Sequence, residues 1–153
     1  MKVKNIIRIV LNLILGGMLL YGGIMKFARP MPSPTEIVEK VQQGGQVAPT
    51  IEALQIKNYI FGMKQTGFFW EFLGIVELAG GIMLISQVFS GIGALIALPV
   101  ILNIFLFHLF LERDETGELI ETGGLLLINL ILISFTYRVW RPLLYDRKIL
   151  NAG

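Results

Sequence analysis

The sequence predicts an all-α integral membrane protein, a four-helix bundle with both termini in the cytoplasm. The first observation is composition: 54% of the 153 residues are hydrophobic, 16% are charged, and the mean hydropathy is +0.70. Such a chain is too apolar to be covered by a water-soluble surface. The second is that four apolar stretches approach the ~20 residues that cross a hydrocarbon core. The third is that basic residues cluster near both chain ends, which is typical of cytoplasmic termini. The length indicates one domain, residues 1–153.

Residue counts exclude several classes of function. The formal net charge of +2 is too small to indicate nucleic-acid binding, and no nucleic-acid-binding motif is present. The absence of cysteine excludes disulfides, thiol redox chemistry, thiolate-bound iron–sulfur clusters and haem attached through a C-x-x-C-H motif. A chain with one histidine cannot build a bis-histidine haem site by itself, and the Glu-x-x-His repeats of di-metal carboxylate proteins are missing. No metal site is predicted.

The first predicted span covers residues 6–25. A signal peptide is the alternative, because Lys2, Lys4 and Arg8 precede the apolar run. We favour a spanning helix because the run is longer than a usual signal-peptide core and is followed by Lys26 rather than by a small-x-small cleavage site.

Residues 27–66 are predicted to form an extramembrane loop. The segment contains four of the six prolines and a Gly-Gly pair. Thr35 is a suitable N-cap for a short helix, and the apolar residues between Ile51 and Phe61 indicate a second helical piece lying on the membrane surface. The simplest interpretation is a packed lid without a binding role.

The second predicted span, residues 68–85, carries Glu77 near its middle. A carboxyl group in the hydrocarbon core costs on the order of a few kcal/mol, so it is usually turned toward neighbouring helices. Gly74, Gly80 and Gly81 lie on or near the same helix face, where small residues allow helices to approach closely. Glu77 is therefore predicted to point inward.

The remaining spans are predicted at residues 88–111 and 123–140. The short turn at residues 86–87 makes the second and third spans antiparallel, and Pro99 is expected to kink the third. A short acidic loop separates the third span from the fourth. Its acidic residues are Glu112, Asp114, Glu115, Glu118 and Glu121.

The orientation is predicted from the basic residues near the ends of the spans. Three lie at the N-terminus and four at the C-terminus, whereas the acidic loop contains only Arg113. The loop at residues 27–66 also has four basic residues, five with the adjacent Lys26, but four spans place it on the same side as the acidic loop. Both loops are therefore predicted to lie outside.

Six polar residues are predicted to gather in the outer half of the membrane. At ~1.5 Å per helical residue, Lys26 lies at the outer surface and Glu77 lies deepest, roughly 15 Å in. Intramembrane ionisable groups commonly line a ligand site or a proton path, or bond helices to one another. The candidate ligand or proton site consists of Lys26, Glu71, Glu77, Asn103, His108 and Asn129.

A structural role is the alternative for each of them. Glu77 is expected to be mostly neutral and hydrogen-bonded to Asn103, the polar side chain nearest to it in depth, because Lys26 is predicted to be too shallow for pairing.

His108 and Glu112 are four residues apart on one helix face and are expected to form a surface pair. Lys26 and Glu71 lie close enough to the interface for their side chains to extend toward the head groups. The same is expected of two polar residues on the cytoplasmic side, Arg8 and Asn12.

Three motifs carry a family resemblance through their order and spacing. They are GGIMKF at residues 22–27, VELAGG at 76–81, and LPVILNI running into FHLF at 98–110. Together they resemble the DoxX family of small four-helix bacterial membrane proteins. The resemblance covers nearly the whole chain, and its details are similar to those of Bacteroidetes-type members. It implies a multi-pass protein of the bacterial cytoplasmic (inner) membrane.

The DoxX family is named for a subunit linked to thiosulfate:quinone oxidoreduction, and some members are described as partners in membrane redox complexes. Three functions are open for this chain. It could be a quinone-linked or redox-complex-associated subunit, in which Glu77 and His108 bind or protonate a quinone head group, with a membrane or periplasmic redox partner. It could be a small transporter or lipid-binding protein, or a non-enzymatic membrane scaffold in which the polar groups fix helix register. Redox roles that require a thiol do not carry over to a chain without cysteine.

Overall fold

Helices make up nearly all of the structure, a computed structural model that describes residues 3–28, 39, 42–43, 50–112 and 115–144. Within these residues there is no β-strand. The short helix expected after Thr35 falls almost entirely outside them. The elements are α1 (Val3–Ala28), α2 (Ile51–Gln65), α3 (Phe69–Ile85), α4 (Ser90–Leu111), α5 (Thr116–Phe135) and α6 (Tyr137–Leu144).

Three helices, α1, α4 and α5, are long and apolar enough to cross a membrane. The helices α2 and α3 meet at a bend of 90° and supply a fourth crossing if they are counted as one broken span. By itself α3 has 17 residues, or ~25 Å of helix, against a hydrocarbon core of ~30 Å. The all-α class and the presence of several helices suited to crossing a membrane are confirmed.

Two helices extend beyond the membrane spans that the sequence predicts. α1 continues to Ala28, so Lys26 lies inside the helix rather than beyond its end; Met25, Lys26 and Ala28 are residues with high helix propensity. α5 begins at Thr116, which places Glu118 and Glu121 in the helix rather than in an acidic loop. Glutamates are favourable in a first helical turn because they interact with the helix dipole.

The C-terminal end of the fourth predicted span, residues 123–140, also differs from the structure. α5 ends at Phe135, where the backbone N–H of Thr136 bonds the carbonyls of Ile133 and Ser134, and residues 137–144 form the separate helix α6. The second helical piece predicted within the 27–66 loop is present as α2, and its place on the membrane surface stays a prediction. Its N-cap is Thr50, whose Oγ1 accepts a hydrogen bond from the backbone N–H of Ala53 at 3.2 Å.

α1 and α3 pack antiparallel with their backbones in close contact. A Cβ atom on Gly16 would lie 3.0 Å from the carbonyl oxygen of Gly81, and one on Gly23 would lie 3.0 Å from that of Gly74. Residues with side chains do not fit at this separation, so the paired glycines set the register of the two helices. The predicted inward-facing small residues of α3 are confirmed as buried together with Glu77.

Two further antiparallel contacts complete the packing. α3 and α4 meet where Gly93 approaches the carbonyl oxygen of Gly80, and α4 and α5 meet where Gly123 faces the ring of Phe105. An apolar core fills the space between the helices. Its buried residues are Leu15, Leu19, Leu84, Ala94, Ala97, Ile101, Leu132 and Ile133.

The antiparallel order gives the molecule two ends. The loop end contains the C-termini of α1 and α4, the N-termini of α3 and α5, and α2. The terminal end contains the N-termini of α1 and α4, the C-termini of α3 and α5, and α6. Contacts are extensive between α1 and α3 but sparse between α1 and α5, and we call the opening between α1 and α5, lined by exposed residues such as Tyr21 and Glu121, the cleft.

Candidate functional site

A buried ion pair joins α1 to α3 near the loop end. The Lys26 ammonium donates to both carboxylate oxygens of Glu77, with Nζ 2.8 Å from Oε1 and 2.7 Å from Oε2. The side chain of Glu77 is 1% exposed and that of Lys26 is 13% exposed. The predictions that Lys26 is too shallow for pairing and that Glu77 bonds Asn103 are therefore wrong.

The directions of the two helices explain this contact. In the register set by the glycines, Lys26 lies about six residues, or ~9 Å, beyond the level of Glu77. Helical side chains lean toward the N-terminus of their own helix, and in antiparallel helices these directions converge. Gly22 leaves the intervening space open, since a Cβ atom there would lie 3.4 Å from Glu77 Oε2. The lysine therefore extends inward rather than toward the head groups.

Trp70 of α3 fixes the end of α1. Its indole Nε1–H donates to the carbonyl oxygen of Lys26 at 3.1 Å, one of the carbonyls that a helix C-terminus leaves without an intrahelical partner. The ammonium nitrogens of Lys26 and of Lys64 on α2 lie 5.3 Å and 5.2 Å from the centre of the Trp70 ring, within the range of cation–π attraction. This tryptophan connects α1, α2 and α3.

The ion pair lines a cavity of about 200 Å³ formed by α1, α3, α4 and α5. Toward the middle of the molecule its wall is apolar, with Leu19, Ile101 and Leu125, and toward the loop end it is polar. An apolar site with a few polar groups at one end is typical of sites for small amphiphilic molecules. The polar lining residues are Lys26, Glu77, His108, Glu118, Glu121 and Thr122.

His108 is on the wall of this cavity and contacts Glu112, as predicted. Its Nδ1 lies 2.7 Å from Glu112 Oε2, but the two groups are not aligned for a hydrogen bond. Nδ1 is buried and has no hydrogen-bond partner among the described residues. The Glu112 carboxylate occupies the Nδ1 side of the ring, so a ligand in the cavity would have to use the other ring nitrogen, Nε2.

Asn103 belongs to a different surface. It is exposed on α4, and its Oδ1 accepts a hydrogen bond from the hydroxyl of Tyr59 on α2 at 2.9 Å. The Tyr59 ring also packs against Phe107, with 5.5 Å between ring centres. Asn103 attaches α2 to α4 instead of bonding Glu77.

The last two candidates also lie apart from the cavity. Glu71 is exposed in the first turn of α3, where a carboxylate interacts favourably with the helix dipole. Asn129 is completely buried, and neither polar atom of its side chain has a partner within the described part of the chain. Of the six predicted residues, the structure brings Lys26, Glu77 and His108 to one cavity; we call these three the loop cluster.

A second group of polar side chains, which was not predicted, lies at the terminal end. Asn12 is completely buried, and its Nδ2 donates to Gln87 Oε1 at 2.8 Å. Arg8 Nη2 donates to Ser90 Oγ at 3.1 Å. The expectation that Asn12 extends to the head groups is wrong because its short side chain starts from the buried face of α1. We call these four residues the terminal cluster.

The sequence reasoning also missed three cavity residues on α5. Glu118, Glu121 and Thr122 were assigned to a loop or ignored, yet with Leu125 they are spaced three or four apart. Such spacing places them on one helix face as soon as the helix begins at Thr116. This spacing, interpreted as a helix that begins at Thr116, is the sequence signal that identifies these residues.

Comparisons of the chain with protein-family models, with curated proteins and with solved structures find no match. The resemblance to the DoxX family therefore depends on the sequence motifs alone, and the function has to be argued from the geometry of the site.

Proposed function

We propose that this protein binds a lipid-soluble quinone in the loop-end cavity and acts as a quinone-linked subunit of a membrane redox complex. The observation that carries the proposal is the Lys26–Glu77 ion pair, placed together with His108 on the wall of a cavity whose inner part is apolar. Buried ionisable groups in membrane-spanning helices commonly mark ligand or proton sites. The resemblance of the motifs to the DoxX family supports the same proposal.

The cavity residues match the chemistry of a quinone head group. Quinone carbonyls accept hydrogen bonds, and the Lys26 ammonium keeps a third N–H after donating to both oxygens of Glu77. His108 can supply a second donor. The volume of about 200 Å³ is below the roughly 300–1,000 Å³ of pockets for drug-sized ligands, so it suits a ring-sized head group. The apolar tail would leave through the cleft between α1 and α5.

Conversion of a quinone to a quinol requires electrons as well as protons. In the proposed complex a redox partner in the membrane or periplasm supplies the electrons. Protons enter past Glu118 and Glu121 at the mouth of the cavity and reach the head group through His108 and the Lys26–Glu77 pair. This chain's contribution is to bind, orient and protonate the head group.

The proposal includes an orientation: a four-helix bundle in the bacterial inner membrane, with both termini in the cytoplasm and the loop end outside. Because the chain has no native cysteine, introduced cysteines report position without background. Cysteines at Gln43 and Glu118 should react with an impermeant thiol reagent in intact cells, while one at Asn151 should not. Labelling at Asn151 alone would reverse the orientation.

Quinone binding is tested with purified protein and short-chain benzoquinone and naphthoquinone analogues. Wild-type protein should bind one of them saturably. Leu125→Trp should abolish this binding because the larger ring fills the cavity that Leu125 lines. Leu127→Trp is the matched control, since Leu127 lies on the same helix, is 59% exposed and is not part of the cavity wall. Equal binding by both variants, or none by the wild type, would contradict the proposal.

Lipid binding or transport is the second candidate, and the sparse contact between α1 and α5 favours it because the cleft gives bilayer lipids access to the cavity. If the protein binds or transports lipid, lipid should copurify with the wild-type protein and should be lost in Leu125→Trp. The wild-type protein should then not bind a quinone. If neither ligand binds, the polar groups serve only to hold the helices in register, as in a membrane scaffold.

A further inference from the structure

A groove at the terminal end combines an apolar wall with a single cation. Its volume is about 460 Å³, and its walls include Phe89, Ile92 and Trp140. Two of its residues, Val88 and Val139, are 78% and 77% exposed, so the groove opens to the outside of the helices. Among its lining residues the one charged side chain is Arg8, at the edge where α1 begins.

Arg8 also lines a second, more polar cavity of about 240 Å³ together with Asn5, Ile9 and Gln87. The guanidinium therefore lies between an apolar compartment and a polar one. It makes one hydrogen bond to a side chain of the described residues, from Nη2 to Ser90 Oγ, which fixes its position and leaves other N–H groups available. A guanidinium fork of this kind binds phosphate oxygens in pairs.

The charge of the terminal end is complementary to an anion. Among its described residues the charged side chains are basic: Lys4, Arg8, Arg138 and Arg141. Basic pockets between membrane-spanning helices are typical binding places for anionic lipid head groups. The apolar groove beside Arg8 would hold an acyl chain of the same lipid.

We propose that this groove binds an anionic phospholipid of the surrounding leaflet, with its phosphate at Arg8 and an acyl chain along Phe89, Ile92 and Trp140. The proposal is independent of the quinone site, because the two cavities lie at opposite ends of the molecule and share no lining residue.

The first test measures lipid retention by native mass spectrometry after exchange into detergent with phosphatidylglycerol or phosphatidylcholine of equal chain length. Wild-type protein should retain phosphatidylglycerol preferentially. Arg8→Gln should lower its retention about tenfold, the factor that corresponds to ~1.4 kcal/mol, close to the value of a hydrogen bond to a charged group. Arg141→Gln, the same charge change at the same end but outside the groove, should change retention little. Equal losses in both variants would show a general surface-charge effect and overturn the proposal.

The second test keeps Arg8 and fills the groove. Ile92→Trp should lower phosphatidylglycerol retention, whereas Leu102→Trp, on the exposed side of the same helix and away from the groove, should not. Ile92→Trp and Leu102→Trp test the proposed lipid site even if Arg8→Gln does not fold. Retention of phosphatidylcholine equal to that of phosphatidylglycerol, or displacement of the lipid by inorganic phosphate alone, would also overturn the assignment.

Discussion

The loop cluster and the terminal cluster both bury polar side chains between helices, but they satisfy them differently. At the loop end a full ion pair, Lys26 with Glu77, lies on the wall of a cavity that His108 also lines. At the terminal end the buried contact is between two neutral amides, Asn12 and Gln87, and each of them keeps one buried polar atom without a partner among the described residues. Neutral amides can hold helices together at low cost, whereas burying an ion pair costs desolvation free energy, so its presence favours a role beyond stability. The difference is our reason for placing the proposed quinone chemistry at the loop end.

The largest expected effect is at the ion pair and depends on which partner is removed. Lys26→Met leaves a carboxylate that is 1% exposed without its cation, and we expect the free energy of unfolding to fall by about 3 kcal/mol. Glu77→Leu should cost less, because Lys26 is closer to the surface and can turn toward the head groups. Denaturant unfolding in detergent measures both. A larger loss for Glu77→Leu would contradict the inward direction of the lysine.

The next effect concerns the glycines that set the register of α1 and α3, on which both clusters depend. A Cβ atom on Gly81 would lie 2.9 Å from the carbonyl oxygen of Gly16, so Gly81→Leu should force the helices apart and destabilise the protein by about 2 kcal/mol. Gly17→Leu is the control, since no atom lies within 4 Å of a Cβ at that position. Thermal unfolding should separate the two variants. The same melting temperature for both would mean that the close approach is absent in solution.

A smaller effect is expected at the terminal cluster. Asn12→Leu removes the donor to Gln87 in a buried site, and hydrogen bonds between membrane helices contribute about 0.6 kcal/mol on average and 1.7 at most. We therefore expect a loss of about 1 kcal/mol in the free energy of unfolding. Asn5→Leu, on the exposed side of the same helix, should be close to neutral. A loss as large as that of Lys26→Met would remove the distinction between the two ends.

The smallest effect compares two tryptophans. Trp70→Phe and Trp140→Phe each remove an indole N–H that donates to a backbone carbonyl at 3.1 Å, which is worth about 0.5–1.5 kcal/mol. Phenylalanine also binds cations less well than tryptophan, and only Trp70 has two lysine ammonium groups near its ring in the described structure. Trp70→Phe should therefore be the more destabilising of the two in the same unfolding assay. The reverse order would indicate that the lysines contribute nothing at this ring.

Much of the fold could be predicted because it follows from local pattern. Apolar stretches of sufficient length predict the long helices, and the small residues around Glu77 predict the face that packs against α1. The contact between His108 and Glu112 was predictable for the same reason, since both residues lie on one helix.

Contacts between helices were harder because they depend on register. Depth counted from the predicted end of the first span placed Lys26 too far from Glu77, whereas the helix continues to Ala28 and the two side chains lean toward each other. The Asn12–Gln87 contact depends on where the 86–89 turn meets α1, which no spacing within either segment reveals. A polar side chain near the end of a span can either extend toward the head groups or pack against a neighbouring helix. The sequence alone does not distinguish these two environments.

The most direct test of the loop cluster measures the distance between Lys26 and Glu77 in a lipid bilayer. Magic-angle-spinning NMR on protein labelled with ¹⁵N at lysine Nζ and ¹³C at glutamate Cδ detects the dipolar coupling between these atoms. Because Nζ lies 2.8 Å and 2.7 Å from the two oxygens bonded to Cδ, the structure predicts a weak but measurable coupling that disappears in Lys26→Met. A spectrum without that coupling, or with a coupling unchanged in Lys26→Met, would contradict the ion pair on which the proposed site depends.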